Sequence, residues 1–389
     1  MIPAPLKQLS RLSLEDFFAR FWQKKAVYLP NVFPEFRSPL TPDELAGLAL
    51  EQDIESRLIT HSDSAPWQLR NGPFSEADLA SLSEKNWTLL VQAVDHWVPE
   101  VASLLDAFRF IPNWRLDDIM VSYAPTGGSV GPHFDYYDVF LLQGAGHRRW
   151  HIGAECDANT PRLEGTPLHI LKDFIPTETY DLAPGDILYV PPGVAHWGVS
   201  LDDECMTYSI GFRAPSHAEI LTGLSQSIAA EAGADKRYRD QLVSATTNPG
   251  CIDRQTLSEI KNIVAQYLTE QHIANWFGRA MSEAKYPDTL PEGIALDAQE
   301  FAELLAADAT VEQAPGARFC FTEISATEAT LFACGKAYAC TVNLARLLCQ
   351  KRTFTLAEVA DRDASDSNCD FIQTLLADGS LVIYDPEED

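Results

Sequence analysis

From Ile119 to Ala214 the chain is a series of short apolar runs, each interrupted by Gly or Pro before it reaches helical length. This texture restricts the segment to many short strands closed into a sandwich or barrel. The runs fall at 119–123, 130–135, 139–143, 148–152, 168–170, 177–181, 186–190, 198–200 and 206–212. Before them, helices are expected at 13–22 (capped by Ser13), from Thr41-Pro42, at 75–82 and at 98–108. Strands are expected at 24–30, 57–60 and 67–70, and 87–93 fits either type. After Pro215 the pattern turns helical at 218–232, 257–270 and 273–283. The last part reads as helices at 298–307, 342–349, 356–360 and 371–377, followed by a Gly379-Ser380 turn and a strand at 381–384. That helix-helix-strand order suggests a small winged-helix unit. An α+β chain results, divided at 1–215, 216–297 and 298–389.

With 389 residues, two or three cores are needed, and 46% hydrophobic residues with 19 Phe and 8 Trp supply them. A net charge of −27 repels nucleic acid, whose binding needs Lys and Arg, and favours a cationic protein partner. It therefore argues against DNA binding by the winged-helix unit, which ends Asp385-Pro386-Glu387-Glu388-Asp389; a docking or structural role is expected for it. Eight Cys are scattered without a Cys-x-x-Cys pair, which fits free thiols in a reducing cytoplasm. No apolar run approaches the roughly 18 residues of a membrane span, and the N-terminus lacks the pattern of a secretory signal.

Chemistry concentrates in Gly131-Pro132-His133-Phe134-Asp135. Residues two apart on a strand share a face, so His133 and Asp135 converge. The Gly-rich stretch before them, from Gly127, is expected to let backbone approach a ligand. A third ligand is offered by His196, after the turn Pro191-Pro192-Gly193 that closes an apolar strand. His-x-Asp alone occurs by chance in many proteins, but two His and one carboxylate with open positions is the arrangement of non-haem Fe(II) oxygenases. Alternation along 148–152 puts Arg148 inside with Trp150 and Ile152. A buried guanidinium needs a carboxylate, either a protein acid or, beside a metal, a small diacid cosubstrate held bidentately. Ser122 can add a hydroxyl to the same carboxylate. If the substrate is cationic, Asp118 and Tyr137 are candidates to hold it by charge and stacking. His61, His96, His147, His151, His169, His217 and His272 show no ligand spacing.

Several segments together resemble the bacterial JmjC-type (cupin-like) ribosomal oxygenases, most of all those hydroxylating an arginine of protein sixteen of the large subunit. They are Trp22-Gln23-Lys24-Lys25, Asp117-Asp118-Ile119-Met120-Val121-Ser122, Gly131 to Asp135, Tyr137-Asp138-Val139-Phe140, and Pro184-Gly185-Asp186 through His196. The step from His133 to Arg148 also matches where such enzymes place their basic 2-oxoglutarate residue. The resemblance implies a double-stranded β-helix core, a helical dimerisation region and a C-terminal winged helix. It further implies Fe(II) and 2-oxoglutarate as cofactors, a basic ribosomal protein as substrate, hydroxylation at the arginine β-carbon, and a homodimer. Tyr136 and Ala124 depart from the family pattern, which bears on substrate contacts rather than on the metal. Two alternatives remain open: an oxygenase of another basic protein or residue such as His, and a metal-binding cupin without oxygenase activity.

Overall fold

The structure, a computed structural model, describes residues 5–62, 65–239, 248–360 and 365–384. The acidic run 385–389 lies outside the described residues. The chain divides into two compact units, Met1–Ala214 and Pro215–Asp389.

The first unit begins with strands β1 (Gln8–Leu9) and β2 (Leu12–Ser13), helix α1 (Leu14–Arg20) and strand β3 (Val27–Leu29). Helix α2 (Pro42–Leu48), strands β4 (Ser56–Ser62) and β5 (Ala65–Asn71), helix α3 (Glu76–Ala80), strand β6 (Trp87–Val91) and helix α4 (Pro99–Ser103) follow. Strands β7 (Leu116–Ala124), β8 (Val139–Ala145), β9 (Arg148–Glu155), β10 (Glu178–Leu182), β11 (Ile187–Val190), β12 (Val194–Ser200) and β13 (Cys205–Phe212) complete the unit. They form an eight-stranded sheet in the order β3-β11-β8-β13-β7-β6-β4-β5 and a three-stranded sheet β10-β9-β12.

The central strands β8 and β11 are mostly apolar because both of their faces are buried. Along β8, Phe140 and Leu142 pack under the helices with Phe17, Leu45 and Phe108. Val139 and Leu141 point the other way and meet Trp150, Ile152 and Val194 of the small sheet. Strand β11 divides in the same manner, Ile187 and Tyr189 outward and Leu188 and Val190 inward. Helix α1 is capped as its sequence indicates, with Asp16 N donating to Ser13 Oγ at 3.1 Å. It seats Phe17, fully buried, against Tyr189 and Phe140 at ring-centroid distances of 5.0 and 5.7 Å.

Three expectations for this unit change. Residues 130–135 form no strand: only His133 makes a bridge, because the segment is tied to three different partners instead of one ladder. Residues 168–170 are likewise irregular: Ile170 O accepts from Leu163 N, and the adjoining Leu171 N donates to Pro132 O. His196 lies inside β12 rather than beyond a strand end.

The second unit holds α5 (His217–Glu231), α6 (Arg254–Tyr267), α7 (Glu270–Ser282) and α8 (Ala298–Ala306). Then come β14 (Thr310–Gln313), β15 (Phe319–Glu323), β16 (Glu328–Ala333), β17 (Lys336–Thr341), α9 (Val342–Gln350), β18 (Thr353–Thr355), α10 (Leu356–Ala360), α11 (Ser365–Ala377) and β19 (Leu381–Ile383). Two three-stranded sheets, β18-β14-β19 and β15-β16-β17, pack with α9 and α11 around Val311, Leu331, Leu344, Leu348 and Leu375. The five strands from β14 to β18 go beyond the helices and single strand expected from sequence. One signal for them was present. Cys334-Gly335, at φ +47° and +79°, is the two-residue turn whose twist suits a hairpin, and it joins Ala333 to Lys336 in register.

Phe17→Ala should destabilise the protein by about 3–5 kcal/mol, the cost of emptying an aromatic site that cannot collapse. Phe18→Ala, at a half-buried position, should cost clearly less. Urea midpoints of the full-length variants measure both, and equal midpoints would contradict this packing.

Candidate metal centre

The centre starts from a backbone pairing. His133 N donates to His196 O at 3.0 Å, and His196 N donates to His133 O at 2.8 Å. Residues that exchange both bonds across an antiparallel bridge carry their side chains on one face. The two imidazoles accordingly lie 4.3 Å apart, centroid to centroid. Asp135 is set by the adjoining turn, its carbonyl accepting from Gly193 N at 2.7 Å. One ligand atom from each of His133, Asp135 and His196 can be chosen so that all lie within 4.8 Å of one another.

The ring nitrogens are already sorted for coordination. His133 Nδ1 lies 2.9 Å from Gly131 O, and His196 Nδ1 lies 3.0 Å from Val194 O. A carbonyl only accepts, so each Nδ1 carries the proton and each Nε2 presents its lone pair toward Asp135. The Nε2 to Oδ2 distances are 3.9 Å from His133 and 3.6 Å from His196. Burial, reinforced by His133, pushes the His196 imidazole down to about 4, so it is neutral near pH 7. Two imidazoles with their Nδ1 positions turned away and a carboxylate, oriented in advance, suit a divalent cation of the first transition row.

The glycines before this segment serve packing more than ligand approach. Gly131 has φ +82°, and a Cβ there would sit 2.9 Å from Ile170 Cδ1. Ser129, buried, locks the loop to β12: it donates to Gly198 O at 2.7 Å and accepts from Trp197 Nε1 at 2.9 Å.

Alternation places Arg148, Ser122 and Asp118 inside the barrel. Arg148, only 2% exposed, shares the inner face of β9 with Trp150 and Ile152. Trp150 lies between two candidate residues, its ring 5.8 Å from Arg148 Cζ and 5.8 Å from the His196 ring. Arg148 pairs with Ser200, four residues beyond His196 on β12, so about 13 Å of strand separates the two backbone positions. Arg148 Nε donates to Cys205 Sγ at 3.3 Å, and its Nη2 is buried with no hydrogen-bond partner among the described residues. An orphaned buried N–H of a cation is costly, and a ligand carboxylate would satisfy it.

Ser122 is buried on β7, its hydroxyl 3.5 Å from Thr207 O. Asp118, on the same face of β7, is buried and accepts from Gln92 Nε2 at 2.7 Å. Tyr137 is partly exposed. Burial of its hydroxyl end, then the charge and hydrogen bond of Asp135 and the charge of Asp118, hold its phenol well above the ordinary range. It is thus a neutral donor beside two carboxylates.

Sequence reasoning missed Gln143, Thr207 and Cys205, which point inward around Arg148. The available signal was polar residues at alternate positions in otherwise apolar strands. It also missed the support beneath Asp138, which is fully buried. Its carboxylate accepts from Arg115 Nη2 at 2.7 Å, Tyr189 OH at 2.5 Å and Gln23 Nε2 at 3.1 Å.

Comparison with known proteins agrees with this geometry. The family model of the JmjC domain matches residues 103–220, and that of the ROXA-like winged helix matches 260–382. The chain is 39% identical over 281 residues to the ribosomal protein uL16 3-hydroxylase of Escherichia coli, covering 71% of this chain and 73% of that one. It is 43% identical over 213 residues to a probable ribosomal oxygenase of Haemophilus influenzae, covering 54% and 52%. The crystal structure of E. coli ycfD superposes with a TM-score of 0.87 at 32% identity, over 97% of this chain and all of that one. YcfD in complex with cobalt and 2-oxoglutarate gives 0.84 at 33% identity, over 97% and 99%.

Asp138→Ala would leave the Arg115 guanidinium without its buried partner and should cost about 3–5 kcal/mol. Asp138→Asn, which keeps one acceptor oxygen, should cost less. Equilibrium unfolding of both variants tests the network, and a wild-type midpoint for the alanine variant would refute it.

Proposed function

The chain belongs to the JmjC-domain ribosomal oxygenases, and from that premise we propose that it hydroxylates the β-carbon of an arginine in a large-subunit ribosomal protein, using Fe(II) and 2-oxoglutarate. The observation that carries this reading is the pairing of a preoriented His-Asp-His cluster with a buried guanidinium whose Nη2 has no hydrogen-bond partner among the described residues, inside one barrel. Bound Fe(II) with 2-oxoglutarate and dioxygen supplies the oxidising power that breaks an unactivated C–H bond, leaving succinate and carbon dioxide.

The rest is the work of this chain's side chains. His133, Asp135 and His196 hold the metal through Nε2, a carboxylate oxygen and Nε2, and leave its other positions to small ligands. Arg148 anchors the far carboxylate of 2-oxoglutarate with its planar fork, and Ser122 stands on the neighbouring face as a hydroxyl donor. Asp118, fixed by Gln92, receives the substrate guanidinium, and Tyr137 borders it with a neutral ring. The apolar lining of Val139, Leu141 and Leu188 keeps water from the reacting carbon.

A net charge of −27 complements a basic ribosomal protein. Helix α6 buries none of its residues and exposes Leu257, Ile260 and Val264, which supports a homodimer formed through the helical region 216–297. In this reading, 1–215 is catalytic and 298–389 docks or supports and does not bind DNA. No helix among the described residues is long and apolar enough to cross a membrane. A ribosomal protein as substrate supports action in the cytoplasm.

His133→Ala should abolish substrate-dependent succinate formation, and chelation of the metal should do the same reversibly. Full turnover in either case would remove the assignment. Mass spectrometry of ribosomal proteins from cells with and without the enzyme should show one added oxygen on one arginine. A modified His, or no change, would redirect the substrate reading.

A further inference from the structure

We propose that Cys205 is a positioning residue for Arg148: its sulfur holds Nε, so that the remaining nitrogens face the far carboxylate of a bound 2-oxo diacid. The inference rests on the reading of Arg148 as the anchor of that carboxylate.

Cys205 opens β13 and is fully buried. Its sulfur accepts from Arg148 Nε at 3.3 Å and from Gln143 Nε2 at 3.4 Å. The Gln143 amide has only one orientation that satisfies its surroundings. Nε2 donates to Ala145 O at 2.7 Å, while Oε1 accepts from Thr207 Oγ1 at 3.1 Å. The sulfur is thereby held between two donors on rigid strands. Gly146 permits this approach: at φ +55°, a Cβ there would lie 2.7 Å from Cys205 N. The turn joining β8 to β9 is therefore pressed against the start of β13, directly beside the backbone of Arg148.

Why a thiol suits the position follows from its chemistry. A guanidinium has five N–H donors in one plane, so occupying Nε sets the direction of both Nη groups. One of these, Nη2, is buried without a partner. A carboxylate at 205 would orient the fork equally well but would neutralise it and compete with the cosubstrate. Sulfur is a weak acceptor, so it directs the cation while competing little with the ligand for it. Holding the fork in place beforehand also reduces the ordering cost of binding.

The test is anaerobic calorimetric titration of the full-length, Co(II)-loaded protein with 2-oxoglutarate and, separately, with pyruvate, which offers the same chelating group but no far carboxylate. Cys205→Ala should weaken 2-oxoglutarate about three- to tenfold, the worth of one ordinary hydrogen bond made in advance, since sulfur is a weak acceptor. Cys205→Ser, with a shorter reach to Nε, should fall between alanine and wild type. Pyruvate affinity should be unchanged in both variants. In an Arg148→Ala background, Cys205→Ala should have no further effect. At saturating 2-oxoglutarate, kcat and the KM for the protein substrate should stay at wild-type values. Equal losses for pyruvate and 2-oxoglutarate, or a loss that persists without Arg148, would show that the sulfur only fills space and would overturn the proposal. Wild-type affinity in Cys205→Ala alongside a large loss in Arg148→Ala would overturn it while leaving the anchor intact. Wild-type affinity in Arg148→Ala would instead remove the anchor reading itself.

Discussion

Two main-chain hydrogen bonds between His133 and His196 carry the rest of the centre. Before folding, these residues are separated by most of the barrel, and neither side chain has any cause to meet the other. The bridge joins an otherwise irregular segment to an inner strand, and its antiparallel geometry leaves no choice about which side the imidazoles take. Nearby contacts reinforce it. Ser129 fastens the loop ahead of His133, Gly193 fastens Asp135 behind it, and two carbonyls turn the Nδ1 protons away from the cation position. A divalent ion arriving here meets ligands whose orientation has already been fixed by folding.

The barrel interior is graded along its length. Val139, Leu141 and Leu188 make its middle apolar, while Gln143, Thr207, Cys205 and Arg148 make one end polar. Polar groups at such depth destabilise a fold unless they are satisfied. Here nearly every hydrogen-bonding atom of that end is matched to another, and the exceptions among the described residues are the indole Nε1 of Trp150 and a nitrogen of the guanidinium. The guanidinium nitrogen, placed beyond Trp150 from His196, is the one that an anionic cosubstrate would satisfy.

Support for the centre reaches back to the start of the chain. Trp22 stacks on Tyr189 at 5.6 Å, Gln23 donates to Asp138, and Arg115 lies over Trp22 while pairing with the same carboxylate. Asp138 opens the way from the ligand segment into β8, so this cluster ties the first helix to the strand leaving the site. The Trp22-Gln23 pair thus has a physical task, although it lies far from the cation position in sequence.

Much of this was legible in the residues. Alternation assigned Arg148, Trp150 and Ile152 to one face, the apolar runs at 139–143 and 186–190 marked strands, and Ser13 and Thr41 marked helix starts. Other parts were not. The strands β14 to β18 are short and half polar, so their pattern is weak until a partner strand buries one side. The spacing of His133 and Asp135 suggested a strand, whereas their convergence comes from a single bridge and a turn. The chain by itself determined which side chains share a face and which could bind a cation or a carboxylate, because both follow from local periodicity and side-chain chemistry. Only the tertiary structure decided that His196 stands opposite His133 and that Cys205 meets Arg148. Those pairings are set by hydrogen bonds and packing between segments distant in the chain, and no local pattern contains their register.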